Sequence, residues 1–469
     1  MSAVVIAVDI GSSGIKALGY DTAARAVPGL TARAAFSVGG EFDFSALATA
    51  VESVLDEIHA QTRGREVLAV GFGSFASSLV ALGADDDPLE PSLTYADTRS
   101  ASYLEAWRGD ASLLERTGCP VYTSFWTAQI AWWLARKSRP AKFVTVTDAL
   151  FARFFGLGQV RSSLSAAAWT GLLNRHTLTW DAACLERLRI GAAQLLPVEA
   201  HPAHTGLRAV FAERWPRLAK AAFFAGVADG YAANLGSGVV RPGCAAITIG
   251  TSAALRTVVT DANPSVPDGL WALRCDPTRT LVGGSLTEGG NVHAWALNTL
   301  RLPAGDLEAA LVALPADDHG LTFVPTLSGQ RSPGYDPHAR GSLHGLSFDT
   351  TPLELLRAAM AGVTYRIADL LERLEGTHGT QQTISLSGNA LQQSRVWQQM
   401  IADTLGRRVS ASAQPEATAR GIALLALQGL NLLRLEDVRV EAGLILEPDE
   451  SRFEGHQRGL ERLKRLLNG

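Results

Sequence analysis

Two short turns of glycine and hydroxyl residues constrain this chain more than any other feature. Asp9-Ile10-Gly11-Ser12-Ser13-Gly14 and Thr248-Ile249-Gly250-Thr251-Ser252 each follow an apolar run, residues 4–8 and 245–249, and each enters a second strand-like run. An apolar, largely β-branched run bounded by glycine reads as a strand covered on both faces. Glycine lets the backbone close on a ligand and take positive φ, while successive N–H groups and hydroxyls can donate to phosphate oxygens. One such turn alone is equally well a hairpin with a polar tip. Repeated in both halves, it predicts a polyphosphate gripped between two related domains. Neither turn fits G-x-x-x-x-G-K-[ST] or a G-x-G-x-x-G that opens a helix, so P-loop and Rossmann folds are disfavoured.

Asp9 ends the first strand. A carboxylate there repels phosphate unless a cation lies between them, so Asp9 is expected to hold Mg²⁺, directly or through water. Lys16, on the next run, either adds positive charge near the transferred group or is a surface lysine.

At 469 residues with net charge −4, the chain reads as roughly two to four globular domains. No basic cluster interleaves with aromatics, so nucleic acid is not an expected partner. No apolar stretch reaches the roughly 18 residues a membrane span needs. Strand-like sequence begins at once, without a targeting pattern, and Cys119, Cys184, Cys244 and Cys275 show no C-x-x-C spacing, so a reducing cytoplasm is expected. His201 and His204, separated by Pro202, lack the further ligands of a metal site.

Strand and helix patterns alternate, which is the α/β signature. Residues 44–59 predict a helix, and 67–70, 79–82 and 221–227 predict strands, the last running directly into Asp229-Gly230. Pro242 with Gly236, Gly238 and Gly243 marks a loop, dividing the chain into domains 1–240 and 241–469. Thr351-Pro352-Leu353-Glu354 predicts a capped helix start, apolar periodicity continues to Leu374, and Gly376 is the expected stop. Residues 384–387 then predict a strand, Gly388-Asn389-Ala390 a tight turn, and 394–405 a helix, a succession suited to adenosine or phosphate or to an ordinary β–α connection.

In this order the motifs resemble those of the FGGY carbohydrate kinases of the actin-like ATPase superfamily. Residues 9–13 with Lys16 resemble the family's first phosphate motif, Tyr95-Ala96-Asp97-Thr98-Arg99 its aromatic-x-Asp-x-Arg segment, and residues 225–230 the stretch carrying its catalytic aspartate. Gly250-Thr251-Ser252 is similar to the second phosphate motif, and residues 328–333 to G-E-R-S-P with Gln330 for glutamate. Residues 387–390 followed by 397–403 resemble the adenosine motif, with Asn389 for glycine, a change that asparagine's tolerance of left-handed backbone softens. Phe75-Ala76-Ser77 matches neither the Gln-Met-His of many xylulose kinases nor the Arg-Glu of glycerol kinases. The Thr94–Ser100 and Gly118-Cys119-Pro120 phrasing is closer to the gluconokinase-like branch, which would carry histidine at Ser77.

The resemblance implies two actin-like, ribonuclease H-like α/β domains around a catalytic cleft. It implies phosphoryl transfer from ATP with Mg²⁺ to a small sugar or sugar acid, gluconate first and a pentulose second. Asp229 would be the base, although locally it reads as a helix N-cap. Asp9 would hold the metal. Gly11, Ser12, Ser13, Lys16, Gly250, Thr251 and Ser252 would surround the phosphates, and Gly388, Asn389 and Ala390 would border the adenosine. Ser77, Tyr95, Asp97, Arg99 and Asp229 would line the sugar site, with Arg99 facing a carboxylate unless Asp97 and Arg99 form a structural ion pair. Domain closure on ATP is expected, and homodimers occur in the resembling family. A nucleotide-gated chaperone or filament subunit, or a silent sugar-binding relative, are the competing readings.

Overall fold

The computed structural model describes all residues except 1, 137–138, 262, 317–319, 413, 415, 440–441 and 469. It contains two large sheets of one plan. In the first, β1 (Ser2–Gly11), β2 (Gly14–Tyr20) and β3 (Ala26–Ala34) form an antiparallel meander. Helix α1 (Phe44–Gln61) crosses over, and β4 (Arg65–Ser74) and then β5 (Ala222–Ala228) extend the sheet in parallel beyond β1. Helix α2 (Asp229–Gly236) follows at once. The second sheet repeats this with β6 (Cys244–Ile249), β7 (Ala253–Val259) and β8 (Thr280–Leu286) as the meander. Helix α3 (Gly290–Thr299) and the long α4 (Pro352–His378) lead to β9 (Thr383–Ser387), parallel to β6. Short α5 (Asn389–Gln393), α6 (Arg395–Leu405), parallel β10 (Val409–Ser412) and α7 (Ala417–Gly429) complete the repeat.

Alternation explains the buried strands. Val4, Ile6 and Val8 of β1 enter one apolar cluster, shared with Leu47, Val51, Leu55 and Ile58 of α1, while Val5 and Ala7 enter the cluster on the opposite face. Successive side chains of a strand point to opposite faces, so a sheet covered on both sides requires an unbroken apolar run.

The two lobes are sewn together by α2 and α7, the helices that complete the two repeats. In α7, Ile422 and Ala426 pack over Gly71 of β4 in the first sheet, and α7 crosses α2 at glycines on both sides. A Cβ on Gly421 would lie 1.8 Å from the Ala232 carbonyl oxygen, and one on Gly236 would lie 1.7 Å from that of Ala417. Only residues without a side chain allow backbones this close.

The capping box at Thr351 and Glu354 is present. The expected stop at Gly376 is not: α4 runs to His378 and ends at Gly379, whose φ is 73°. A helical glycine costs only about 1 kcal/mol against alanine, and Leu370, Leu371 and Leu374 are fully packed. Among the described residues, no helix is long and apolar enough to cross a membrane.

Candidate active site

The strand ends of the two sheets meet at a cleft, and the pairing register determines what lies there. Asp9 on β1 pairs with Gly73 on β4, which pairs with Val227 on β5. Asp229, just past β5, therefore reaches the same sheet end as Asp9, two strands or about 10 Å across. On the other wall Thr248 pairs with Ser387, their hydroxyls 3.0 Å apart.

The cleft has two adjoining chambers, of about 1150 and 340 Å³, which share Asp9, Ser13, Lys16, Gly250 and Thr251. The larger is bordered by Gly388, Asn389 and Ala390, with Trp295 and Gln392 beside them. The smaller holds Gly11, Ser12, Ser252, Tyr95 and Asp229. The two expected phosphate turns are thus brought face to face, with the expected adenosine border on one side and the expected base on the other.

The local reasons differ in part from those the sequence suggests. Gly11, Gly14 and Gly250 are not in the left-handed region. At Gly11 a Cβ would be tight, 3.1 Å from the Gly14 carbonyl oxygen, whereas Gly250 faces open space on the cavity side. The second turn is fixed from behind by the start of α3, where the N–H groups of Gly290 and Asn291 donate to the carbonyls of Gly250 and Thr251 at 2.8 and 3.0 Å. In the third segment the unusual backbone belongs to Gly388 at φ 101°, where a Cβ would lie 2.3 Å from the Ile249 oxygen. Asn389 is the first residue of α5 and is not left-handed, so its replacement of glycine is tolerated for a different reason from the one expected.

Lys16 lines both chambers and is not a free surface lysine. Its Nζ donates to Glu416 at 3.0 Å, and Arg33 donates to the other Glu416 oxygen at 2.6 Å. Glu416 immediately precedes α7, so this ion pair ties the first hairpin to the segment that sews the lobes together.

Asp229 is the first residue of α2 rather than its N-cap, which is Ala228. Its carboxylate accepts from the Gly230 N–H at 2.7 Å. Burial holds it above the ordinary carboxylate range, offset by Arg256, the Gly230 N–H and Arg331. Burial, and then repulsion by Asp229, raises Asp9 to about 7, with Lys16 pulling the other way. Among the described residues the Asp9 carboxylate accepts no hydrogen bond.

The remaining expected sugar contacts are placed differently. Tyr95 faces the small chamber. The Ser77 hydroxyl donates to the Trp169 carbonyl at 2.7 Å, with Ser77 held at φ 57°. Arg99 bonds Asp97 through Nε and Nη2 at 2.7 and 2.6 Å, pairs with Glu41 at 2.8 Å and lies over Trp132. The ion-pair alternative is the arrangement present, and it braces the loop carrying Tyr95. Gln330, with its amide oxygen turned toward Arg366, accepts from both terminal nitrogens at 3.1 Å.

Two residues not foreseen as site residues stand out. Arg256 on β7 and Arg331, stacked over Tyr95 at 5.6 Å, both face Asp229. Arg256 was legible as the one charge in the apolar run of residues 253–259.

Two lobes of one plan, with a glycine-hydroxyl turn of each facing the other across the cleft, define a two-domain α/β protein of actin-like architecture. The N-terminal domain model of the FGGY family of carbohydrate kinases matches residues 4–236, and the C-terminal domain model matches residues 245–430. The chain belongs to the FGGY family of carbohydrate kinases and is an ATP-dependent sugar kinase. It is 26% identical to a gluconokinase of Bacillus subtilis (strain 168) over 396 residues, covering 77% of this chain and 74% of the relative. A glycerol kinase of Geobacter sp. (strain M21) is 30% identical over 367 residues, covering 74% and 72% respectively. A xylulose kinase of Streptomyces rubiginosus is 30% identical over 387 residues, covering 79% and 76%. The fold matches a crystal structure of gluconate kinase from Lactobacillus acidophilus with a TM-score of 0.92 at 24% identity, over 100% of this chain and 98% of that one.

Proposed function

We propose that the chain transfers the γ-phosphoryl group of ATP to a hydroxyl of gluconate, with Asp229 taking the hydroxyl proton. The observation that carries this reading is the position of Asp229 in the small chamber, across a shared waist from the larger one and beside both phosphate turns. Burial raises Asp229 above its ordinary value, which makes its carboxylate a stronger base toward a hydroxyl proton. Gluconate as the acceptor is supported by the gluconokinase relative and by the gluconokinase-like phrasing around Thr94 and Cys119.

The large chamber, at about 1150 Å³, slightly exceeds the roughly 300–1,000 Å³ of small-molecule sites and has room for a nucleotide. Adenosine lies along Gly388, Asn389 and Ala390, where the absence of a Cβ on Gly388 keeps the turn tight against β6. The phosphates lie between Ser12 and Ser13 on one wall and Thr251 and Ser252 on the other, where hydroxyls and N–H groups neutralise charge as it spreads over the transferred group. Asp9 fits a magnesium ion: it is buried, unbonded among the described residues, and destabilised by a second carboxylate. A magnesium ion there would neutralise phosphate charge beside the acceptor hydroxyl. Tyr95 walls the sugar, while Ser77 and the Asp97–Arg99 pair hold that wall in place through Trp169 and Trp132. We place the division of the lobes near residue 240, with the α2–α7 crossing as the fixed point about which they close.

A coupled ADP assay over gluconate, xylulose, ribulose, glycerol and glucitol tests the reading. Gluconate is expected to give the highest kcat/KM; preference for any uncharged acceptor defeats the assignment.

A further inference from the structure

The small chamber is lined by Asp9, Lys16, Asp229 and Arg256, and of its two cations Lys16 is held by Glu416 whereas Arg256 forms no ion pair among the described residues. Arg256 lies on β7, paired in register with Ala246 and Gly283 at the centre of the second sheet, yet its side chain crosses to the first lobe. A Cβ on Gly230 would lie 3.1 Å from Arg256 Nε, so the guanidinium rests directly on the residue after Asp229. Arg256 Nε is buried without a hydrogen-bond partner. Neither Arg256 nor Arg331 forms an ion pair or a side-chain hydrogen bond with the described residues. Three arginines elsewhere show the matched arrangement: Arg99 holds Asp97 and Glu41, Arg116 holds Asp110 and Asp181, and Arg279 holds Asp276 and Glu436.

A buried guanidinium donor without an acceptor is costly, and a planar fork of five donors is built for a carboxylate or phosphate. Asp229 is the nearest compensating charge, but its carboxylate takes backbone N–H groups of Gly230 and Ala76 and forms no hydrogen bond or ion pair with Arg256 among the described residues. Of the two kinds of acceptor, a sugar acid offers Arg256 a charged bidentate partner that a neutral polyol does not.

We infer that Arg256, flanked by Arg331, is the residue that selects an acceptor carrying a carboxylate, donating to that group while an acceptor hydroxyl faces Asp229. This deepens the gluconate reading and rests on it. Arg256 is a specificity residue here, and Arg99, already held by two carboxylates, is not.

The test compares gluconate with glucitol, which keeps the six carbons and replaces the carboxylate by a neutral CH₂OH. For Arg256→Gln the ratio of kcat/KM for gluconate to that for glucitol should fall roughly 100-fold, the size of a lost charge-assisted bidentate contact. Arg256→Lys, which restores charge without the fork, should recover part of that ratio, and Arg331→Gln should lower it less. ADP affinity, read by titration, should be retained in all three, since the larger chamber is not lined by Arg256. If the two acceptors lose activity in step, Arg256 serves phosphoryl transfer or the fold, and its assignment is overturned. If the parent favours gluconate but the ratio is unmoved in Arg256→Gln, only the Arg256 assignment fails. A parent with no preference for gluconate over glucitol overturns the sugar-acid reading and this inference with it.

Discussion

Replacing Asp9 by asparagine should stabilise the metal-free protein while abolishing its activity. Burial and the neighbouring Asp229 raise Asp9 from an ordinary value of 3.8 to about 7. Below pH 3.8 the carboxyl is neutral in both the folded and unfolded chain and has no effect on stability. Between 3.8 and about 7 the unfolded chain has lost the proton and the folded one still holds it, so stability falls as pH rises. Above about 7 both are ionised and the full penalty is reached. A rise of about three pH units at about 1.4 kcal/mol each sets that penalty at roughly 4 kcal/mol. Urea unfolding followed by tryptophan fluorescence, in EDTA, should show Asp9→Asn more stable than the parent by up to about 4 kcal/mol at pH 8 and equal to it at pH 3.5. Magnesium with ADP should narrow the gap, because a cation neutralises the carboxylate only in the parent. Equal stabilities at every pH, or an advantage for the parent at pH 8 in EDTA, would refute the argument.

The other perturbations act on the frame. Gly421→Ala places a Cβ 1.8 Å from the Ala232 oxygen and should cost about 3 kcal/mol or more, read as a lower urea midpoint. Gly388→Ala combines φ 101° with a 2.3 Å clash on Ile249, so it should both destabilise by about 3 kcal/mol and raise KM for ATP, with KM for the acceptor little changed. Glu416→Gln releases Lys16 and Arg33 from a carboxylate inside the nucleotide chamber. ADP affinity, by calorimetric titration at low salt, should tighten about fivefold and lose that gain at high salt.

Local chemistry was legible where sequence and structure share one cause. The apolar runs of β1, β5 and β6, the capping box at Thr351, and the glycine-hydroxyl turns all announce themselves by composition and spacing. What lay hidden depends on partners distant in sequence. Nothing near Lys16 reveals that Glu416 will hold it, and nothing near Gly421 reveals that Ala232 will press on it. Arg256 was visible as an odd charge in a buried strand, but its meaning required knowing that β7 faces Asp229. For Arg99 the sequence left a sugar contact and an ion pair with Asp97 both open for the same reason, because Glu41 and Trp132, which complete its surroundings, come from other segments. At Gly376 the surrounding leucines overrode a local stop signal.

The most direct measurement is the rate of gluconate-dependent ADP release by the parent and by Asp229→Asn at saturating ATP and Mg²⁺, with ADP affinity measured on both. The expected result is turnover stimulated by gluconate in the parent and a loss of 10³-fold or more in the variant, roughly the contribution of a general base together with substrate orientation, with ADP affinity preserved. Full rate in Asp229→Asn, or no ADP release by the parent with any acceptor, would contradict the assignment of Asp229 and of the cleft around it.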